Sequence, residues 1–336
     1  MELIPALPEE LGLECLTRLP YTAHRVATQV CRQWSQLLRS QEFYYHRKKY
    51  GYTEKLACLV QAFPAEKTIP DAKPASSPSY GLTVFDPVSQ TWERLDPVPK
   101  YPNGLPLFCQ PASCEGKLIV MGGWNPASYD PVRGVFVYDF TTQGWTQGKD
   151  MPSKRSFFAV GAIGSKVYVA GGHDENKNAL KSVWAYDVSE DEWVELTQMS
   201  QERDECEGVV IGNKFWAVSG YKTEAQGEFE SSCESYQLDT GDWSRVEGVW
   251  KPGKCPRSCV GVGNDGKPAS WPESNSGAGE GAIGIKMDEL VILKSGSADQ
   301  EFFLGKMDGA KIDKLKKLEV PNEFSGLVQS GCFVEI

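Results

Sequence analysis

The chain has 336 residues, 40% of them hydrophobic and 24% charged, enough for one large core and one small one. Its formal net charge of −10 argues against a nucleic-acid or anionic-membrane surface. The apolar runs fall short of the roughly twenty residues that span a bilayer, and Met1 to Pro5 lacks the basic start and apolar core of a secretion signal. Ten cysteines, scattered rather than set in a short framework, then read as reduced thiols of a cytoplasmic or nuclear protein.

The first fifty residues read as helices. Leu7-Pro8 leads into Glu9, Glu10 and Leu11, acids suited to a helix N-terminus; Leu11, Leu13, Leu16 and Leu19 supply apolar contacts before Pro20 ends the helix. A second helix is expected from Thr22, with Val26, Val30, Trp34 and Leu38 at four-residue intervals as one amphipathic stripe. Ser40 is suited to capping a third, which carries Phe43 and Tyr44. So small a core gains from a partner. Leu7-Pro8, Cys15 to Pro20, Val30 to Trp34 and Phe43, in this order and spacing over residues 3 to 47, resemble an F-box. The resemblance implies docking on the Skp-type adaptor of a Skp–cullin–F-box ubiquitin ligase. It makes Leu7, Pro8, Leu16, Leu19, Pro20, Val30, Cys31 and Trp34 the candidate docking residues, some of which must instead hold the domain's own core. The basic cluster His46 to Lys49 reads as a solvated helix end, with nuclear import as the alternative.

Strands begin with Lys55 to Phe63, followed by a Pro-, Ala-, Ser- and Lys-rich loop over 64–78. Then one pattern occurs twice. Lys117 to Gly123, Val137-Tyr138-Asp139 and Trp145 are matched by Lys166 to Gly172, Ala185-Tyr186-Asp187 and Trp193, with diglycines 49 and tryptophans 48 residues apart. Weaker copies are Phe85-Asp86 with Trp92, Tyr236-Gln237 with Trp243, and Lys214 to Gly220, where Ser219 replaces one glycine. β-branched runs suit buried strands, paired glycines allow a sharp turn at positive φ, and each aromatic-to-Trp step of seven residues suits a hairpin of outer strands. A period near fifty with four strands per unit points to kelch repeats and a β-propeller.

Beyond Trp243 the pattern degenerates. Arg257 to Val262, Glu289 to Gly296, Phe302 to Leu304 and Lys314 to Leu318 are strand candidates, with a second loop over 267–281 and a terminal strand over 326–336 that closes the ring against Lys55 to Phe63. The expected architecture is mainly β: a small α-helical F-box domain at 1–50 and a substrate-binding kelch β-propeller of five or six blades at 54–336. This combination resembles the plant F-box/kelch-repeat proteins over nearly the whole chain. Leu3 to Pro8, Arg203 to Cys206 and Gln329 to Cys332 look most like the subgroup that targets phenylalanine ammonia-lyase, whose relatives act on chalcone synthase or on cytokinin response regulators.

No motif for catalysis stands out. The three histidines, His24, His46 and His173, are too few for a copper site, and Cys109 with Cys114 or Cys255 with Cys259 lack the second pair of a zinc site. No nucleophile elbow, phosphate loop or dinucleotide fingerprint occurs, so neither catalysis nor a cofactor is expected. Arg155, Arg203 and Arg257 each precede a blade's first strand, Met151 and Met199 lying four residues before the first two. Equal register means equal height, so these arginines are expected either to ring one face as a site for acidic side chains of a substrate or to pair with acids such as Asp204 or Glu205 between blades. The expected function is the substrate receptor of a ubiquitin ligase. A kelch scaffold without ligase activity is the alternative.

Overall fold

The computed structural model describes residues 3–63, 78–257, 259–263, 265–270, 283–287, 290–294, 301–308 and 311–336. Nearly all of the loop expected at 64–78, and most of that at 267–281, lies outside the described residues.

Four helices come first: α1 (Glu9–Thr17), α2 (Tyr21–Ala27), α3 (Arg32–Leu38) and α4 (Gln41–Tyr50). Pro8 and Pro20 stand at the entries of α1 and α2, where a fixed φ and a missing N–H do no harm. Ser40 caps α4, its Oγ accepting the Phe43 N–H at 3.2 Å. The single helix expected from Thr22 through Leu38 is broken. Cys31 adopts an extended backbone, φ −157°, and its Sγ accepts the Trp34 N–H at 3.5 Å, so that α3 starts afresh. The break splits the stripe: Val26 and Val30 face solvent, 68% and 61% exposed, while Leu38 is buried. Leu3, Leu16, Ala27, Leu38 and Phe43 form the small core, with Leu13, Leu19 and Trp34 packed against it.

The strands that follow build six sheets among the described residues. The first holds β1 (Lys55–Ala62), β2 (Tyr80–Asp86) and β3 (Thr91–Arg94); the second β4 (Gln110–Cys114), β5 (Lys117–Met121), β6 (Val135–Asp139) and β7 (Gly144–Gly148). The third holds β8 (Ala159–Ile163), β9 (Lys166–Ala170), β10 (Val183–Asp187) and β11 (Glu192–Leu196); the fourth β12 (Glu207–Ile211), β13 (Lys214–Val218), β14 (Cys233–Gln237) and β15 (Asp242–Val246). A two-stranded fifth sheet, β16 (Val260–Val262) with β17 (Pro268–Ser270), precedes β18 (Ile283–Met287), β19 (Leu290–Lys294), β20 (Phe302–Asp308) and β21 (Lys311–Lys317). The last strand, β22 (Val328–Glu335), returns to the first sheet and pairs antiparallel with β1, Cys58 opposite Cys332 and Leu59 opposite Gly331. This is a β-propeller closed by its two ends, β22 covering the inner edge of β1.

Each recurring residue has a place. Asp86, Asp139 and Asp187 turn the chain after β2, β6 and β10, their Oδ1 accepting the N–H two residues on at 2.8, 2.7 and 3.1 Å. Tyr138, Tyr186 and Tyr236 lie directly opposite Trp145, Trp193 and Trp243 across the outer hairpins. Those indoles reach towards the preceding repeat and donate to the carbonyls of Asp96, Lys149 and Thr197 at 2.7 to 2.8 Å. The second glycine of each pair is held by lack of space as well as by positive φ. A Cβ on Gly123, Gly172 or Gly220 would stand 2.4 to 2.6 Å from the carbonyl oxygen of Leu107, Ser156 or Asp204. In the fourth sheet Ser219 occupies the first position, at φ 56°.

The innermost strands surround a channel of about 690 Å³, with Tyr44, Tyr45 and Lys48 of α4 at one end. Arg47, expected among solvated basic residues, is only 2% exposed. Its guanidinium donates to the carbonyls of Thr17 (2.9 Å) and Tyr52 (2.7 Å), lies 3.3 Å from Glu54 Oε2 and reaches the Ile336 carbonyl at 3.5 Å. One buried cation thus ties α1, the linker and the chain's last residue together.

Candidate functional site

The helices sit against one end of the propeller. Gln41 Nε2 and Tyr45 Oη donate to Glu115 Oε1 at the β4–β5 turn (2.5 and 2.7 Å), Lys48 pairs with Glu335 at 2.8 Å, and Arg25 reaches Gln143 on the β6–β7 turn. Strands alternate in direction, so the loops after β5, β9 and β13, and those leading into β4, β8, β12 and β16, emerge at the far end. The molecule therefore presents two faces.

The helical face is aliphatic. Half of the ten exposed large hydrophobics among the described residues fall in the first fifty positions, Leu11 (53%), Val26 and Val30 foremost. Of the candidate docking residues, Pro8, Pro20, Val30 and Cys31 are exposed, and Leu7, Leu19 and Trp34 are half-buried. Leu16 is in the core at 1% exposure. Trp34 also donates its indole N–H to the Leu3 carbonyl at 2.7 Å. The structure thereby separates Leu16, Leu19 and Trp34, which pack on the helical core, from an outward set that gains Leu11 and Val26. Both were legible as apolar positions, but not their direction, which for Val26 follows from the break at Cys31.

The far face is aromatic and charged, and two positions per repeat build it. Trp124, His173 and Tyr221 each follow a diglycine-type turn and bridge to Leu107, Ser156 and Asp204. The next residues, Phe108, Phe157 and Glu205, take left-handed φ of 58°, 55° and 47°, an uncommon conformation for bulky side chains. Phe108 and Phe157 lie 4.7 Å apart between centroids, and Trp124 meets them edge-on at 5.4 and 5.1 Å. His173, 3% exposed, shares its Nδ1 proton with Asp204 at 2.9 Å, and its Nε2 accepts from Trp124 Nε1 at 3.2 Å. Two cations lie over the rings: Lys177 Nζ is 3.8 Å above Trp124, and Arg257 Cζ is 4.2 Å from the Phe157 centroid. Arg257 pairs with Glu205 at 2.7 Å, and Tyr221 Oη donates to the same carboxylate at 3.1 Å. Burial pushes the thiols of Cys109 and Cys114 up to about 12, so neither offers a ready thiolate.

The F-box family model matches residues 4–46, and the KLHDC2/KLHL20/DRC7 Kelch-repeats domain matches residues 72–264. The Arabidopsis thaliana F-box/kelch-repeat protein At1g80440 is 40% identical with both chains covered in full. The chain belongs to the plant F-box/kelch-repeat family. A second Arabidopsis F-box/kelch-repeat protein, At2g44130, is 41% identical over 76% of this chain and 68% of its own length. In fold the chain is similar to the solved structure of YjhT, with a TM-score of 0.57 and 14% identity over 70% of this chain and 91% of that one.

Within the kelch propeller the expected arginine ring does not form. Arg155 and Arg203 are 1% and 0% exposed. Arg155 donates to the carbonyls of Gly171 (3.2 Å) and Ser182 (3.4 Å), and burial pushes its pKa down to about 10. Arg203 pairs with the fully buried Glu234 at 3.0 Å and donates to the Ser219 and Ser232 carbonyls at 2.8 and 3.1 Å. Both therefore clamp a repeat from inside, Arg203 pairing with Glu234 rather than with its neighbours. Arg257 is not their equivalent. The Trp250 N–H donates to Ser231 O as those of Met151 and Met199 donate to Arg133 O and Lys181 O, so the residue four further on is Lys254. Arg257 lies three residues beyond that register and reaches the surface. Repeat spacing did contain surface positions of this face: Trp124, His173 and Tyr221 stand 49 and 48 residues apart.

Proposed function

We propose that this F-box/kelch-repeat protein is the non-catalytic substrate-recognition subunit of a Skp–cullin–F-box ubiquitin ligase. Residues 1–50 dock the Skp-type adaptor, and residues 54–336 hold a protein target for ubiquitination and proteasomal degradation. The observation that carries the reading is the opposition of two unlike faces on one closed ring: exposed Leu11, Val26 and Val30 at the helical end, and the aromatic, charged site at the other. Aliphatic side chains left in water on so small a domain are suited to a protein interface, where a few buried anchors supply most of the affinity.

The target we favour is phenylalanine ammonia-lyase or another phenylpropanoid enzyme. What supports it is the subgroup resemblance together with its placement. Asp204 and Glu205 lie on the far face, and Gln329, from a second of the three resembling stretches, accepts the Phe108 N–H there at 3.0 Å. Val26→Ser with Val30→Ser is expected to weaken adaptor capture by about 2 kcal/mol or more with unchanged melting, since both side chains are already exposed. Coexpressed phenylalanine ammonia-lyase should fall with the parent chain and persist with this variant. Undiminished adaptor capture would remove the docking assignment and leave the kelch scaffold reading. A lyase level indifferent to the parent chain would remove the target alone.

A further inference from the structure

We propose that the far face of the propeller takes an acidic peptide segment, its carboxylates held by Lys177 and Arg257 and a neighbouring apolar or aromatic side chain laid on Phe108 and Trp124. The inference rests on the ligase reading for its biological partner, but not for its chemistry.

Three other basic residues of this end are each held by an acid. Lys154 pairs with Glu175, Arg133 with Asp150 and Lys222 with Glu230. Lys177 forms no ion pair among the described residues. Its side chain is exposed as a whole, and the ammonium lies over the Trp124 ring with His173 Nε2 as a neighbour at 3.4 Å. An ammonium carries three N–H donors, so donors remain for a ligand. Arg257 uses Nη2 on Glu205, and no other acceptor engages it among the described residues. A guanidinium has five N–H donors in a planar fork suited to carboxylates. Ring faces hold both side chains in place, so less freedom is lost when a carboxylate arrives.

The floor between them is preorganised. Left-handed φ at Phe108 and Phe157 turns two bulky rings into the mouth of the site, and Trp124 braces both. Trp124 in turn donates its indole N–H to His173, which Asp204 orients from the other side. Phe108 and Trp124 stay half-exposed. That leaves apolar surface between two cations, which is the arrangement a carboxylate next to a ring or aliphatic side chain complements. A polyphosphate chain fits less well. The face also carries Glu205 and Asp174, which disfavour a polymer charged at every unit more than a segment with a few carboxylates set among apolar side chains.

The test uses the full chain and two fluorescein-labelled peptides of equal length, one alternating glutamate with tryptophan and one with glutamine in place of glutamate. Fluorescence anisotropy should show the glutamate peptide bound at least about tenfold more tightly, and Lys177→Glu or Arg257→Gln should each erase about tenfold. Raising salt should weaken the parent's binding. Lys177 is an exposed loop side chain, so its variant keeps the test valid even where loss of the Arg257–Glu205 pair disturbs folding. Equal affinity for both peptides, or undiminished binding by Lys177→Glu, overturns the proposal. So does displacement of the glutamate peptide by an equal concentration of single-stranded oligonucleotide, which would assign the face to nucleic acid. Adaptor capture from the same preparations separates the two readings. Adaptor binding without peptide discrimination removes the acidic-segment proposal alone, and the reverse removes the ligase reading alone.

Discussion

Two regions of the molecule bury an arginine, and they do so in different ways. Inside the fourth blade, Arg203 is satisfied by Ser219, Ser232 and Glu234, all in or next to the neighbouring strands of one repeat. At the junction of helices and ring, Arg47 collects Thr17, Tyr52, Glu54 and Ile336, from both ends of the chain. A repeat therefore carries its own clamp, whereas the junction exists only after the whole ring has closed. The difference predicts unequal consequences. Damage at the junction should be global and cooperative, while damage to a clamp should cost the energy of one buried charge.

Removing residues 326–336 should have the largest effect. It deletes β22, exposes the inner edge of β1 and takes the Ile336 carbonyl from Arg47. The truncated chain is expected to lose its cooperative melting transition and to aggregate. A transition unchanged in temperature would show that the ring closes without β22 and would abolish the contrast between the two regions.

Arg203→Met comes next. It leaves Glu234 fully buried without its cation, a change that costs about 3–5 kcal/mol in comparable sites and should lower the melting temperature by roughly 10 °C. Adding Glu234→Met should restore part of the loss, because a buried pair is worth less against apolar replacements than against a broken half. Melting that ignores Arg203→Met would return this residue to the surface role that its register suggested.

Sequence reading succeeded where physics repeats. A blade needs a glycine where a carbonyl stands within 2.6 Å of a would-be Cβ, and an indole that reaches back to the preceding repeat. Those needs recur, so Gly123 with Gly172 and Trp145 with Trp193 were legible. It failed where one residue interrupts a period. Cys31 breaks the helix that would have turned Val26 and Val30 inward, and Trp250 takes a methionine's place three residues out of step with Arg257. Arg47 was illegible for another reason: its acceptors are mostly main-chain carbonyls, which any sequence supplies. On the far face, Trp124 and His173 did occupy a repeat position. The arginines two residues before Phe157 and Glu205 drew attention by charge, although they point into the blades.

The smallest predicted effect sharpens the junction's side of the comparison. His24, 2% exposed and edge-on to Phe43 at 6.0 Å, has its pKa pushed down to about 4, first by burial and then by the Arg47 guanidinium 3.1 Å from its Nε2. A histidine with a lower pKa in the folded chain than its ordinary 6.5 binds its proton more readily once unfolded. Its contribution is therefore fully present above about pH 6.5 and is lost as the pH falls towards 4, a loss on the order of 3 kcal/mol. His24→Gln replaces the ring nitrogen beside Arg47 with an amide oxygen that accepts a hydrogen bond but does not titrate. Urea unfolding followed from pH 7 to pH 4 should therefore show a shallower fall in stability for the variant than for the parent. Because the histidine lies beside Arg47, acid should also loosen the helices from the ring before the blades themselves melt, visible as protease cleavage near residues 50–54. Parallel slopes for the two proteins would place the acid sensitivity elsewhere and leave the junction held by Arg47 alone.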